Sequence, residues 1–178
     1  MTPLIFIISG KARVGKDTVG DFIIEFLKRR EYNPIKMAYA KYLKMYAKDY
    51  FNWDGNEESK PRDLLQQLGT EIIRKKMNKP HFLVNRIIED IEILFNYFDS
   101  FVITDAREEK EITMVKDRFD NAISIKINRN VDVLTDKQKK HFTEIALDDY
   151  DDYDYIINND GSIDDLKDKV YNVLKEIL

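Results

Sequence analysis

Residues 7–23, IISGKARVGKDTVGDFI, set two glycines and a lysine between an apolar run and an amphipathic one. The run from Leu4 to Ile8 is continuous, rich in branched side chains and ends at Ser9-Gly10, as a strand buried on both faces of a parallel sheet does. Val19, Phe22, Ile23, Phe26 and Leu27 then recur at helical spacing. Between them Gly10 and Gly15-Lys16 stand at the spacing G-x-x-x-x-G-K, in the strand-to-helix context a phosphate-binding loop requires. The backbone of Gly10, Lys11, Ala12, Arg13, Val14 and Gly15 can wrap an anion closely, its N–H groups and the helix N-terminus facing the phosphates, with Lys16 bridging the outer two. Asp17 stands where such loops carry a magnesium-ligating Ser or Thr. A carboxylate is also an oxygen ligand for Mg2+, directly or through water, and Thr18 keeps a hydroxyl one residue later. As a first-turn acid, Asp17 equally favours the helix dipole, and the two readings are compatible.

Outward from this stretch, short apolar runs alternate with helical patterns. Strands are expected at 34–38, Phe101–Thr104, 122–127 and Tyr155–Ile157; helices are expected at Lys41–Tyr50, Arg62–Lys75, Val84–Phe98 and from near Glu108. Ile163, Leu166, Val170, Leu174 and Ile177 mark a closing amphipathic helix. The pattern indicates an α/β fold, a three-layer domain with a five-stranded parallel sheet, and 178 residues suit a single domain. A net charge of -4 with 35% charged residues gives no global attraction for a nucleic acid polymer or an anionic membrane. The absence of cysteine excludes a disulfide framework and a thiolate zinc site. LIFII is too short to span a bilayer, and a cytoplasmic protein is expected.

ARVGKDT in its strand-helix frame resembles the phosphate loop of the phage-type deoxynucleoside monophosphate kinases, whose pattern runs close to K-R-S-G-K-D-T. In that family Asp follows the lysine, which makes Asp17 a family trait. RDLLQQLGTEII, 62–73, resembles the family helix R-x-L-x-Q-x-L-G-T-D/E. The resemblance implies Arg62 on the acceptor phosphate and Gln66 and Thr70 at its base or sugar. On the bare pattern Leu64, Leu65 and Leu68 are core, and Gly69, costly inside a helix, marks a close approach. MAYAKYLKMYA is similar to the segment after the family's second strand and puts Lys44 near the acceptor, although Tyr42 replaces a common proline; a solvated helix cation fits Lys44 nearly as well. VITDAREEKEI is similar to a strand ending in Asp-x-Arg, with Asp105 holding magnesium water and Arg107 gripping a phosphate. INRNVDVLTDKQKKHFTEIAL resembles the lid, led by Arg129 and containing His141, Thr143 and Glu144. IINNDGSIDDL resembles the closing strand, turn and helix, which implies Asn159 and Gly161 beside the donor adenine. Asp160-Gly161-Ser162 reads as a turn and helix N-cap in any case.

The resemblance thus implies a P-loop kinase domain over 1–178, with an acceptor-binding helical region at about 39–98 and a lid at about 128–146. It implies ATP and Mg2+, transfer to a (deoxy)nucleoside 5'-monophosphate, and a monomer or homodimer. A phosphate monoester acceptor is already ionised near neutral pH, its second pKa being about 6, and needs no general base. It needs neutralisation, for which Lys16, Arg13, Arg62, Arg107 and Arg129 are the cations in place. An alcohol acceptor would want a base, and Asp105 is the candidate. A dephospho-coenzyme A or phosphomevalonate kinase, or a non-catalytic nucleotide-binding regulator, are the other readings of the same loop. Trp53 is expected to cover core rather than stack on a base, and DDYDDYDY at 148–155 to be a solvated lead into a strand.

Overall fold

A computed structural model describes residues 2–129 and 146–178. Its strands are β1 (Leu4–Ser9), β2 (Pro34–Met37), β3 (Ser100–Ala106), β4 (Ala122–Asn128) and β5 (Tyr155–Asn158). All pair in parallel in the order β2-β3-β1-β4-β5. The alternation of a strand decides the layers. Ile5 and Ile7 of β1 join one core cluster, while Phe6 and Ile8 join the other.

The Phe6 side is covered by α1 (Lys16–Arg29) and the C-terminal α6 (Ile163–Ile177), through Val19, Ile23, Leu166, Val170 and Leu174. The Ile5 side is covered by α2 (Lys41–Phe51), α3 (Arg62–Gln66), α4 (Phe82–Leu94) and α5 (Glu109–Arg118). The three-layer α/β reading is therefore correct. Ser162 caps α6 with a reciprocal box, accepting the Asp165 N–H at 3.1 Å while Asp165 Oδ2 accepts the Ser162 N–H at 2.9 Å. No helix among the described residues is long and apolar enough to cross a membrane.

One element departs from the expected pattern. α3 does not continue as an α-helix to Lys75; after Gln66 the chain widens into a π-helix over Gln67–Lys76. Its last turn closes with the Met77 N–H on the Ile72 carbonyl at 2.8 Å. Gly69 lies within this stretch against α2, where a Cβ would sit 3.0 Å from Leu43 Cδ1, so it is a site of close approach. Trp53 is half-buried against the same core and donates its indole N–H to Asn56 O at 3.1 Å, as core cover.

The crossover from β1 runs by α1 on one face, and that from β3 runs by α5 on the other. The carboxyl ends of β1 and β3 therefore flank the switch point, where ligands of open α/β sheets bind.

Candidate functional site: a phosphate loop at the switch point

The loop after β1 turns through three left-handed positions, Gly10 at φ 146°, Arg13 at 64° and Gly15 at 101°. At Gly10 a side chain is excluded outright, since a Cβ would lie 2.5 Å from the Ile127 carbonyl oxygen of β4. Lys16 is buried at the start of α1, and its ammonium donates to the carbonyls of Gly10 and Lys11, both at 2.7 Å. The cation is thereby held over the loop it would share with a phosphate. Val14 packs inward, while Lys11 and Arg13 are exposed and Ala12 half-buried. Lys11 pairs with Asp148 at 2.9 Å, so the run 148–155 is not simply solvated. Asp154 in the same run takes the Ser124 N–H at 2.7 Å and pairs with Lys116 at 3.0 Å.

Asn159 stands behind the loop. Its buried side-chain amide donates to the Val14 carbonyl at 2.9 Å, and its backbone N–H donates to Asn128 O at 2.7 Å. One of the two side-chain N–H donors is thus spent on the loop itself. Gly161 is exposed, close to Asp165 in the turn before α6.

Asp17 and the end of β3 meet beside the loop. Thr104 donates its hydroxyl to Asp17 Oδ1 at 2.9 Å. Lys36 Nζ lies 3.7 Å from the same oxygen and 2.8 Å from Asp21 Oδ1. Asp105, next to Thr104, faces the other layer: its two oxygens accept the N–H groups of Tyr39 at 2.7 Å and Ala40 at 3.0 Å, ahead of α2. Burial pushes its carboxyl above the ordinary range, opposed by those two N–H groups and by the charges of Arg107 and Lys44. Lys44 and Arg107 are half-buried around it.

Below this turn is a set of charges that the sequence pattern did not expose. Glu111 is buried, accepts the Arg107 N–H at 2.8 Å through Oε2 and pairs with Arg74 at 3.3 Å through Oε1. Arg74, from the π-helical stretch, also pairs with Glu108. Burial raises the Glu111 carboxyl to about 8, the charges of Glu108 and Asp105 adding to the rise. Tyr39 donates its hydroxyl to the Glu111 carbonyl.

The residues expected at the acceptor are spread along one helical edge. Thr70 is buried, Gln66 exposed, and Arg62 exposed in a pair with Glu57 at 2.9 Å. Arg129 is exposed at the end of β4. His141, Thr143 and Glu144 lie outside the described residues. Thr104, Arg74 and Glu111 were missed because no local spacing signals a partner 87 or 37 residues away. Gly20 was a visible clue, a glycine inside an amphipathic helix.

Sheet order, switch point and a lysine-centred loop together define a P-loop kinase fold. Solved structures agree on the fold. The dephospho-CoA kinase of Campylobacter jejuni aligns at TM-score 0.51 and 17% identity, over 97% of this chain and 96% of that one. The APS kinase of Mycobacterium tuberculosis, solved with AMPPNP and APS, aligns at TM-score 0.54 and 10% identity, over 98% of each chain. The sequence narrows this further: a family model described as deoxynucleotide monophosphate kinase matches residues 39–170. The chain belongs to the deoxynucleotide monophosphate kinase family. The deoxynucleotide monophosphate kinase of Escherichia phage RB69 is 29% identical over 114 residues, which cover 64% of this chain and 44% of that protein.

Proposed function

We propose that this chain transfers the terminal phosphoryl group of ATP to a (deoxy)nucleoside 5'-monophosphate, forming the diphosphate. The observation that carries the reading is the phosphate loop, with Lys16 drawn onto the carbonyls of Gly10 and Lys11, in a chain whose residues 39–170 match that family. A phosphate entering the loop offers Lys16 a stronger, charge-assisted partner than those carbonyls. Residues 10–18 bind the donor. The helical region at about 39–98, with Lys44, Arg62, Gln66, Gly69 and Thr70, holds the acceptor, and Arg107 meets its phosphate. Arg13 and Arg129 close on the transferring group, the latter with a lid at about 128–146 that includes His141 and Glu144 and excludes water. The whole forms one domain, over 1–178, that works as a monomer or homodimer in the cytoplasm.

Asp17 and the neighbouring Thr104 hydroxyl are oxygen groups of the kind Mg2+ takes, so the residues fit that ion, and Asp17 would hold it. When bound, Mg2+ supplies charge neutralisation between the donor phosphates. The chain's own part is to align two anions that repel: Lys16 grips the donor, Arg107 and Arg62 the acceptor, and no proton need be removed. With its oxygens occupied by the Tyr39 and Ala40 N–H groups, Asp105 shapes the turn that carries Arg107.

The test is ADP formation from Mg-ATP with a panel of ribo- and deoxynucleoside monophosphates, dephospho-coenzyme A and phosphomevalonate. Stimulation by one or more nucleoside monophosphates is expected. Stimulation by neither class, or only by the two non-nucleotide-kinase acceptors, would overturn the proposal.

A further inference from the structure

Gly20 occupies the interior of α1, where glycine costs about 1 kcal/mol relative to alanine. A Cβ at that position would lie 2.5 Å from Thr104 Cγ2. The missing side chain lets α1 close down on the carboxyl end of β3. Thr104, 3% exposed there, then reaches across 87 residues of sequence to donate to Asp17 Oδ1. Meanwhile the strand's own carboxylate, Asp105, is turned to the opposite layer and accepts the Tyr39 and Ala40 N–H groups.

In the general phosphate-loop design the helix carries a hydroxyl directly after the lysine and the neighbouring strand carries a carboxylate, and together they hold magnesium. Here the helix carries the carboxylate and the strand the hydroxyl. We infer that Asp17 and Thr104 are that pair with the two chemical groups exchanged, Asp17 supplying the metal-side oxygen and Thr104 acting as the positioning residue that fixes it. The bond to Oδ1 sets the torsion of a carboxylate whose side chain is otherwise 80% exposed. Lys36 is drawn to Asp21 at 2.8 Å and stands 3.7 Å from Asp17, so it does not take the place of Thr104. The inference rests on the kinase reading, since the ion in question accompanies ATP.

The test is calorimetric binding of ATP to the full chain in Mg2+ and in EDTA, for the wild type, Thr104→Val and Thr104→Ser. Valine keeps the shape and removes the donor. The expected result is unchanged binding in EDTA, with the tightening due to Mg2+ reduced by about 10- to 100-fold in Thr104→Val and restored in Thr104→Ser. Full tightening in Thr104→Val, or none in the wild type, overturns the exchanged pair and leaves the kinase reading to the acceptor assay. A wild type that binds no ATP in either buffer overturns both. Should Thr104→Val fail to fold, the exposed partner takes the question. Asp17→Asn keeps an acceptor for the Thr104 hydroxyl and removes the charge; the tightening due to Mg2+ is expected to be lost, and full tightening in Asp17→Asn overturns the pair.

Discussion

Gly20 decides where another residue's hydroxyl points, and its replacement gives a result opposite to helix propensity. Alanine would favour α1 by about 1 kcal/mol as an isolated helix. Its Cβ, 2.5 Å from the Thr104 methyl, forces α1 off β3, and a net loss of about 1–3 kcal/mol is expected in urea unfolding. A Gly20→Ala protein more stable than the wild type would show that the two elements have room to spare. Lys16→Ala removes the loop's central cation and should lower kcat/KM by about 100-fold or more with the far-UV spectrum unchanged. Among the described residues Arg62 makes an exposed pair with Glu57, worth less than about 1 kcal/mol, so Arg62→Ala should leave the melting temperature nearly alone. Its expected effect is a raised acceptor KM with kcat little changed, and an unchanged KM removes Arg62 from the acceptor site.

At the scale of elements, the π-helical stretch is tied to the end of β3. Arg74 leaves it to pair with Glu108 and Glu111, and Glu111 holds the Arg107 N–H. Glu111 keeps its proton in the folded chain up to about pH 8 against 4.5 for a free glutamate. The native state therefore binds more protons than the unfolded state in that window. The contribution is fully present below about 4.5 and is lost as pH rises through about 8. Burial raises Glu108 and Asp105 as well, which adds to the same slope. Calorimetric melting should show the wild type losing several degrees between about pH 5 and pH 8, and Glu111→Gln losing less. An equal decline in both proteins would mean that Glu111 is not the group responsible. The boundaries of β1, α1 and α6 were legible because doubly buried runs and amphipathic spacing are local properties. The widening after Gln66 was not, since RDLLQQLGTEII satisfies α-helical spacing, and the contacts the wide stretch makes, Gly69 on Leu43 and Arg74 on Glu111, lie outside it.

For the whole molecule, the three layers and the five-stranded parallel sheet followed from alternating strand and helix patterns, and the phosphate loop from its glycine spacing, whereas the strand order came only with the structure. The orientation of Asp105 was beyond a sequence reading. A strand-end carboxylate can face either layer, and the Tyr39 and Ala40 N–H groups that claim it lie 66 and 65 residues away. The same holds for Asn159, whose side chain supports the Val14 carbonyl from 145 residues further along the chain. Asn159→Ala should cost about 1–3 kcal/mol by leaving that buried pairing unmade, and should weaken ATP binding by loosening the loop. Unaltered ATP affinity alongside the stability loss would confine Asn159 to support of the fold.

That contact also sets an order of events. Ribosomes make the loop 145 residues before its brace, so a growing chain carries GKARVGK long before Asn159 arrives to hold it. The loop is a braced cradle only on chains that have passed Asn159, so any ligand that favours the braced form stabilises completed folding rather than guiding its first half.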